Sequence, residues 1–426
     1  MKILQINKFN YVRGGAERYF FELSRLLESR GNKVSFFSVK TRTVNKKCSL
    51  DSASILEISS GKSKKAKDSS CFLDGIDYDT NNILSLLGRI PKVFFRTMYS
   101  FEAKGEIEKL IKREKPDVAH IHQISHQISP SILHSLKKMN VPVVYTLHNY
   151  NLICPNSLLF IESRCKTCSD CKGGNYFNVI FNKCMKDSFL ASFLVMLRMY
   201  FHRIIRIFDN VDVFIAPSRF MKNKCIEFGV DKGSIMLLPY FINVNDYKPS
   251  FKNHGYVLYF GRLVKEKAVH TLLESVKGTG AKLFIAGTGP EEENLKKFSE
   301  KCRVNTMFLG SVGGEELKEV IRNSSFVVVP SIYYDNLPVS IFESFALGKP
   351  VIGSRIGGIP ELVEDGKTGF LFEPGNHKEL RKKIMRLLNN PDLVIKMGKN
   401  ARSIAEEKFN QDVHYNRIMD LYRGLL

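Results

Sequence analysis

Short runs of consecutive apolar residues alternate with amphipathic stretches along most of the chain. In the first half these runs are KILQIN (2–7), KVSFFSV (33–39), DVAHIH (117–122), VPVVYTLH (141–148) and VDVFIAPS (211–218). In the second half they are GYVLYFGRL (255–263), AKLFIAGTG (281–289), NTMFLGS (305–311), FVVVPS (326–331) and PVIGSR (350–355). Apolar strands separated by helices are typical of parallel sheets that are covered on both faces. The pattern therefore predicts an α/β protein with two doubly wound parallel sheets.

The predicted domains meet in a segment rich in Pro, Asn and Lys, residues 239–255. We predict an N-terminal domain over residues 1–240 and a second domain over 241–408. Residues 40–82 are polar and rich in lysine, which predicts a long loop within the first domain. Doubly wound sheets bind ligands outside the carboxyl ends of their strands, so a cleft between the two domains is the expected site.

The charge of the chain favours an anionic partner. Lys and Arg number 64 and Asp and Glu number 43, which gives a net charge of +21. Nucleic acid, an anionic membrane surface and phosphorylated substrates all fit such an excess. We do not expect nucleic acid, because the sequence has no Arg/Gly-rich tract and no basic-aromatic ribonucleoprotein motif.

The apolar segments predict a cytoplasmic protein. The start, MKILQINKFN, reads as a strand and has no apolar core of a signal peptide. The longest apolar patch, FLASFLVML (189–197), is too short to span a bilayer.

That patch belongs to a predicted amphipathic helix over residues 187–208. Its apolar face carries Leu190, Phe193, Leu194, Leu197, Phe201, Ile204, Ile205 and Phe208, opposite Arg198, His202, Arg203 and Arg206. Helices that pack on a core have this pattern, which is the favoured interpretation. Helices that lie on anionic lipid have it too, so peripheral contact with a membrane is the alternative.

Five of the nine cysteines fall in one window, Cys154, Cys165, Cys168, Cys171 and Cys184. Disulfides are not expected in a cytoplasmic chain of this size. The spacing Cys165-x2-Cys168-x2-Cys171 is typical of a zinc site, and a set of reduced buried thiols is the other interpretation.

Glycines and one histidine follow the predicted strands at the expected edge. Gly14 and Gly15 come after the first strand, where glycine lets a loop approach phosphate or sugar closely. Gly287 and Gly289 occupy a similar turn, although the full Gly-x-Gly-x-x-Gly fingerprint is absent. A lone histidine is more often structural, but the position of His148 at a strand end favours a functional role.

Two cations and two acids complete the candidate site. Arg262 follows the strand that ends at Gly261, and Lys267 lies where a helix begins, an arrangement suited to a diphosphate. Pro338 is expected to start a helix, which puts Asp335 in the preceding loop and Glu343 inside the helix. A fixed carboxylate can accept hydrogen bonds from both vicinal hydroxyls of a ribose, and a second acid nearer the cleft can meet the sugar.

The combined segments resemble glycosyltransferase family 4. The resemblance rests on GGAER, LHNY, APSRF, GRLVKEK, IAGTGP, FLGSV and DNLPVSIFESFALGKPVIGSRIGGIPELVEDGKTGFLF, and it covers nearly the whole chain. It implies the GT-B fold, in which two Rossmann-like domains face an interdomain cleft. It also implies that residues 409–426, FNQDVHYNRIMDLYRGLL, form a helix that crosses back to the first domain.

The resemblance also implies roles for particular residues. Arg262 and Lys267 would hold the donor diphosphate, Glu343 would bind the ribose, and His148 would line the cleft near the transferred sugar. Asp335 takes the place of the first Glu of the family's Glu-x7-Glu pattern. The implied donor-binding set is Gly14, Gly15, Gly261, Arg262, Lys267, Gly287, Gly289, Asp335, Asn336, Leu337, Pro338 and Glu343. A similar cysteine-bearing insert in some bacterial relatives implies Cys154, Cys165, Cys168 and Cys184 as ligands of a structural zinc, with Cys171 spare.

The reaction implied by the resemblance is retaining transfer from a UDP- or GDP-sugar, without a catalytic metal, to a saccharide or lipid-linked saccharide in surface polysaccharide synthesis. The protein would act in the cytoplasm, with peripheral contact to the cytoplasmic face of the membrane as a further expectation. One alternative is a nucleotide-sugar epimerase of the same fold. Another is a zinc-bearing scaffold for anionic polymers that has lost catalysis, for which the shorter acid Asp335 is the only indication.

Overall fold

A computed structural model describes residues 1–12, 14–39, 70–73, 96–125, 128–252 and 255–426. The first 240 residues contain nine described strands, β1 Lys2–Phe9, β2 Lys33–Val39, β3 Ser70–Leu73, β4 Val118–Gln123, β5 Val143–Thr146, β6 Phe160–Ile161, β7 Lys166–Thr167, β8 Val213–Ala216 and β9 Ile235–Leu237. Seven of them form one sheet in the order β3-β2-β1-β4-β5-β8-β9, and all its pairs are parallel. The other two, β6 and β7, form a small antiparallel pair.

The second sheet is also parallel throughout. Its strands are β10 Tyr256–Phe260, β11 Lys282–Ala286, β12 Thr306–Gly310, β13 Phe326–Val329, β14 Val351–Ser354 and β15 Gly369–Phe372. They lie in the order β12-β11-β10-β13-β14-β15. The predicted α/β class with two doubly wound parallel sheets is confirmed. The predicted domain bounds stay a prediction, with residue 240 falling between the strands of the two sheets.

Helices connect the strands and cover the sheets. They are Gly15–Ser29, Phe101–Glu114, Ile132–Lys138, Asn178–Phe181, Phe189–Ile204, Arg219–Glu227, Val269–Val276, Glu292–Lys301, Gly314–Arg322, Val339–Ala346, Ile359–Leu362, His377–Leu388, Pro391–Lys408 and Gln411–Gly424. The first helix shows why they form where they do, because Phe20, Leu23, Leu26 and Leu27 recur at helical spacing and all are buried.

The last helix, Gln411–Gly424, packs on the first helix of the chain. The His414 ring nitrogen Nε2 and the Tyr19 hydroxyl are 2.9 Å apart. Farther along, the Tyr422 hydroxyl lies 2.6 Å from Nδ1 of His120 on β4. The helix that begins after the second sheet therefore packs against the first sheet.

Some elements differ from the sequence-based expectations. β3 lies within the predicted loop 40–82, the rest of which, apart from residues 70–73, is outside the described residues. The short strands β6, β7, β9 and β15 were not predicted. In each, two to four residues are too few for a periodic pattern to stand out.

The amphipathic helix Phe189–Ile204 buries the face opposite to the one that the favoured interpretation places on the core. It buries Ser192, Met196, Arg198, Met199 and His202. On the predicted core face, Leu190, Phe193 and Ile204 are 55%, 37% and 78% exposed. The core interpretation of that face is wrong. No helix within the described residues has the length and apolar character needed to span a bilayer.

Candidate active site

Hydrogen bonds join the loops at the carboxyl ends of the two sheets. Asn336, just before the helix Val339–Ala346, donates from Nδ2 to the Leu147 carbonyl oxygen at 3.0 Å. Its Oδ1 accepts a bond from the Ser218 hydroxyl at 2.9 Å. Because Leu147 and Ser218 follow β5 and β8, the predicted donor-binding loop of the second sheet meets the strand ends of the first.

A second connection across the two sheets comes from Glu361. Its carboxylate accepts hydrogen bonds from the backbone N–H groups of Arg219 at 2.8 Å and Phe220 at 2.7 Å. These groups lie in the first turn of the helix Arg219–Glu227, where backbone donors have no partner within the helix. A carboxylate from the second half of the chain thus caps a helix of the first half.

Lys267 and Asp335 form a mostly buried ion pair at the centre of the predicted donor site. Asp335 also accepts hydrogen bonds from the hydroxyls of Ser331 and Tyr333, both at 3.0 Å. Lys267 Nζ lies 5.2 Å from the centroid of the Tyr333 ring. Lys267, Ser331 and Tyr333 therefore fix the carboxylate of Asp335, the shorter acid that stands where the family has glutamate.

Arg262 lies on the same side of the site with a mostly exposed side chain. Its guanidinium is 3.9 Å from the Glu266 carboxylate, and the side chain is 64% exposed. The backbone carbonyl of Glu266 in turn accepts a hydrogen bond from the Ile332 N–H at 3.0 Å, in the loop that leads to Asp335. The structure thus brings together Arg262, Lys267 and Asp335.

Glu343 lies in a different ion pair, with Arg18 of the first helix. Glu343 and Arg18 belong to helices that cover different sheets, and their side chains are 8% and 23% exposed. The neighbouring Glu343 raises the pKa of Arg18. Beside them, burial raises the pKa of Glu22 to about 7. The acid assigned to ribose is therefore paired with a cation that the sequence analysis did not single out.

The N-terminal glycines lie against the helix that carries Glu343. The Gly14 carbonyl accepts a bond from the Arg18 N–H at 3.1 Å and precedes the helix Gly15–Ser29. A Cβ atom on Gly15 would be 2.8 Å from Cγ2 of Val339. Leu337 is buried and Pro338 is the residue before the helix Val339–Ala346, as predicted.

The glycine-containing loops that follow β10 and β11 pack against each other. The Gly261 N–H donates to the Ala286 carbonyl at 2.9 Å. A Cβ on Gly287 would overlap the Gly261 carbonyl oxygen, and one on Gly289 would overlap the Leu263 carbonyl oxygen. Close packing within the protein therefore requires glycine at 287 and 289. Their contact with a donor stays a prediction.

The half-buried His148 belongs to a hydrogen-bonded series of side chains whose other members are buried. Its Nδ1 is 2.7 Å from the Tyr240 hydroxyl, and its Nε2 is 3.1 Å from Nδ1 of His122. Nε2 of His122 is 2.7 Å from the Gln5 side-chain oxygen, which only accepts. With Gln5 in this orientation, His122 donates from Nε2 and His148 donates to His122. Burial lowers the pKa of His148 to about 3, so the ring is neutral at physiological pH.

Sequence reasoning missed several residues that line a narrow crevice with Glu343. They are Arg18, Tyr19, Glu22, Tyr240, Phe241 and Tyr247. A signal existed for Arg18, because it is the last residue of the GGAER motif. Tyr240 lies at the predicted joint between the domains, where its apolar context gave no indication of a site.

The five cysteines of the window do not lie together. Cys154, Cys168, Cys171 and Cys184 line one small cavity, whereas Cys165 is exposed and its thiol is 3.6 Å from the Glu162 carbonyl oxygen. Burial, followed by the effect of neighbouring thiols, raises the pKa of Cys184 to about 12. As they stand, no three or more His, Cys, Asp or Glu side chains within the described residues are placed to hold a metal ion.

Comparison with protein families gives two matches that together cover most of the chain. The profile described as "Glycosyltransferase Family 4" matches residues 13–246, more than half of the 426 residues. The profile described as "Glycosyl transferases group 1" matches residues 245–404.

Curated relatives match over part of their length. An uncharacterized glycosyltransferase of Methanocaldococcus jannaschii is 29% identical over 220 residues, which are 51% of this chain and 60% of that protein. The capsular polysaccharide biosynthesis glycosyltransferase CapM of Staphylococcus aureus is 28% identical over 41% of this chain and 47% of its own length. The matched part thus spans about half the length of these two relatives.

Among solved structures, HepE of Anabaena in complex with UDP-glucose is similar over all of both chains. The TM-score is 0.68 and the sequence identity is 16%. At this identity the similarity concerns the fold.

Proposed function

This chain belongs to glycosyltransferase family 4 and has the GT-B fold, and we propose that it transfers a sugar from a nucleotide-sugar donor to a saccharide acceptor. The grouping of Arg262, Lys267 and Asp335 beside the strand ends of the first sheet carries the proposal. The similarity to CapM, which acts in capsular polysaccharide biosynthesis, supports surface polysaccharide as the product. The UDP-glucose bound by HepE supports a uridine or related nucleotide donor.

In the proposed reaction the cations act on the leaving group. Departure of the nucleoside diphosphate builds negative charge on the phosphate, and Arg262 and Lys267 stabilise that charge electrostatically. Lys267 contacts Asp335 in the described structure, so donor binding places the phosphate and the carboxylate around one ammonium group. This step uses no catalytic metal.

The proposed transfer retains the configuration of the anomeric carbon. The acceptor hydroxyl attacks from the side of the departing phosphate, which takes its proton. Asp335, held by Ser331 and Tyr333, faces the sugar. His148 contributes as a neutral imidazole, because its pKa of about 3 excludes a charged ring at neutral pH. Glu343 accepts hydrogen bonds from the ribose once Arg18 releases it.

The test compares Lys267→Ala with Lys265→Ala, since Lys265 is an exposed lysine two residues away in the same turn. Nucleoside diphosphate release is measured with UDP- and GDP-sugars, with and without a saccharide acceptor. We expect Lys267→Ala to lower turnover by about 100-fold or more and Lys265→Ala to keep it. Full activity of Lys267→Ala would contradict the diphosphate role. Turnover that an acceptor does not increase would favour the epimerase.

We further propose that the acceptor is lipid-linked and that the protein contacts the cytoplasmic face of an anionic membrane through residues 177–206. Phe181, Phe189 and Ile204 in this segment are 77%, 62% and 78% exposed. Exposed lysines and arginines accompany them, namely Lys183, Lys186, Arg203 and Arg206. Apolar side chains beside basic ones suit the boundary between acyl chains and anionic headgroups.

Cosedimentation with vesicles of phosphatidylcholine and phosphatidylglycerol tests this contact. The variant Phe181→Ser/Phe189→Ser should bind vesicles at least about 10-fold more weakly, because two apolar anchors are lost. The control Met307→Ser removes an apolar side chain that is 49% exposed on β12 of the second sheet and should bind like the unaltered protein. Equal binding by all three proteins would contradict the proposed surface.

A further inference from the structure

The segment 154–187 has little regular structure to hold its backbone. Its only strands are the two-residue β6 and β7, and its only α-helix is the four-residue Asn178–Phe181. Six of the twelve non-glycine residues with positive φ in the described chain lie here, Ser157, Leu159, Cys165, Lys183, Lys186 and Asp187. Such conformations persist only where the surroundings impose them.

Four thiols from separate parts of this segment line one cavity. Cys154 precedes β6, Cys168 and Cys171 follow β7, and Cys184 follows the helix Asn178–Phe181. The fifth thiol, Cys165, is exposed and has no place in the cavity wall. A crosslink among the four would join three pieces of chain that backbone hydrogen bonds join only sparsely.

Backbone amides are directed at two of the four sulfur atoms. The Asp170 N–H donates to Cys168 Sγ at 3.5 Å, two residues away. Burial raises the pKa of the Cys154 thiol, and the backbone N–H groups of residues 156–159 oppose that rise. These N–H groups would donate hydrogen bonds to the sulfur atoms of a bound metal ion's ligands.

We propose that Cys154, Cys168, Cys171 and Cys184 bind a structural zinc ion, with Cys171 rather than Cys165 completing the ligand set. Four thiolates favour zinc among the common divalent ions, in a closed tetrahedral site. The sulfur atoms do not yet have ligand spacing, so metal binding draws them into the cavity. The ion then supplies the crosslink that the segment lacks.

A ring contact connects the proposed zinc site to the donor site. Phe160 of β6 packs with its ring centroid 6.5 Å from that of Tyr333, and the Tyr333 hydroxyl donates to Asp335. Metal binding therefore fixes one wall of the donor site. This consequence rests on the proposed function, but metal binding itself does not.

Metal content is the direct test. The full chain is purified without metal-affinity resin, and zinc is measured by mass spectrometry for the unaltered protein and for single Cys→Ser variants. We expect about one zinc ion per chain in the unaltered protein and in the control Cys165→Ser. Cys154→Ser, Cys168→Ser, Cys171→Ser and Cys184→Ser should lose it. Absence of zinc from the unaltered protein would overturn the site, and loss from Cys165→Ser with retention by Cys171→Ser would overturn the ligand set.

A second measurement uses only the unaltered protein, so it tests the proposal even if the Cys→Ser variants fail to fold. Zinc is removed from the unaltered protein with a chelator, and thiol labelling and limited proteolysis of residues 154–187 are followed before removal and after zinc is restored. Labelling of four thiols and cleavage in this segment should increase without zinc and fall again when zinc returns. Labelling and cleavage rates that do not depend on zinc would contradict the proposal, whether or not the protein transfers sugar.

Discussion

Arg18 and Glu343 form an ion pair between helices that cover different sheets, 325 residues apart in the sequence. The pair has a double consequence, because it ties the two halves of the protein together and occupies the acid that we assign to ribose. A donor that uses Glu343 therefore competes with Arg18 for the carboxylate. In the described structure the Glu343 carboxylate is paired with Arg18.

The variant Arg18→Ala should separate these two effects. Without donor, its free energy of unfolding should fall by about 1–3 kcal/mol, less than for a fully buried pair because the Arg18 side chain is 23% exposed. With donor, its melting temperature should rise more than that of the unaltered protein, since Glu343 is already released. Thermal unfolding with and without UDP-sugar measures both.

The exposed pair Arg30–Asp412 provides the control, because it joins the residue just after the first helix to the last helix. Arg30→Ala should cost at most about 1 kcal/mol and leave the donor-induced shift unchanged. A smaller donor-induced shift in Arg18→Ala would show that Arg18 itself contributes to donor binding.

The first helix and the helix Val339–Ala346 approach each other so closely that position 15 has no space for a side chain. A Cβ there would be 2.8 Å from Cγ2 of Val339, closer than side-chain carbon atoms pack. Gly15, the second glycine of the GGAER motif and the first residue of the helix, thus sets the distance between two elements of the site.

Gly15→Ala should therefore push the two helices apart and destabilise the protein by about 1–3 kcal/mol. Donor-dependent activity should fall with it, because Glu343 lies on the displaced helix. Chemical denaturation and turnover measure the two effects. The double variant Gly15→Ala/Val339→Ala removes the opposing methyl groups and should recover most of both losses. Failure of the double variant to recover would place the role of Gly15 elsewhere.

At the scale of the whole molecule, four histidines lie where the first sheet meets the last helix and the joint between the sheets. Three of them are buried, and His148 is half-buried. They are His120, His122, His148 and His414, and their partners include Tyr422, Gln5, Tyr240 and Tyr19. Burial lowers the pKa of all four, to about 3 for His148 and His414. All four rings are therefore neutral in the folded protein at neutral pH, and those of His148 and His414 take up a proton only near pH 3.

Stability should fall as the pH drops below about 6.5, where histidines of the unfolded chain take up protons and those of the folded protein do not. The loss should continue down to the folded-state pKa values, near 3 for His148 and His414. Each such group contributes about 1.4 kcal/mol per pH unit within this window. Urea unfolding at pH 7, 6 and 5 measures the slope.

His414→Gln should reduce that slope, whereas His270→Gln, which replaces an exposed ring, should keep it. An unchanged slope in His414→Gln would mean that His414 takes up its proton in the folded protein. The slope would then come from other groups.

The sequence predicted which residues form the candidate site more completely than it predicted the contacts between them. Arg262, Lys267 and Asp335 follow strands of one sheet, so their grouping followed from the strand pattern. The partner of Glu343 did not, because nothing near position 343 indicates that Arg18 lies opposite. The outward face of Phe189–Ile204 was missed for a similar reason, since an amphipathic pattern does not tell which face another element covers.

The sequence by itself determined the α/β class, the places of most strands along the chain and the positions of ligand-handling residues at strand ends. Apolar runs and glycine turns reveal these features because they act over a few neighbouring residues. Only the tertiary structure decided that Lys267 pairs with Asp335, that Arg18 pairs with Glu343 and that Cys165 lies apart from the other four thiols. These contacts depend on how whole helices and loops pack. The free energy of that packing is shared among residues far apart in the chain, so no local pattern records it.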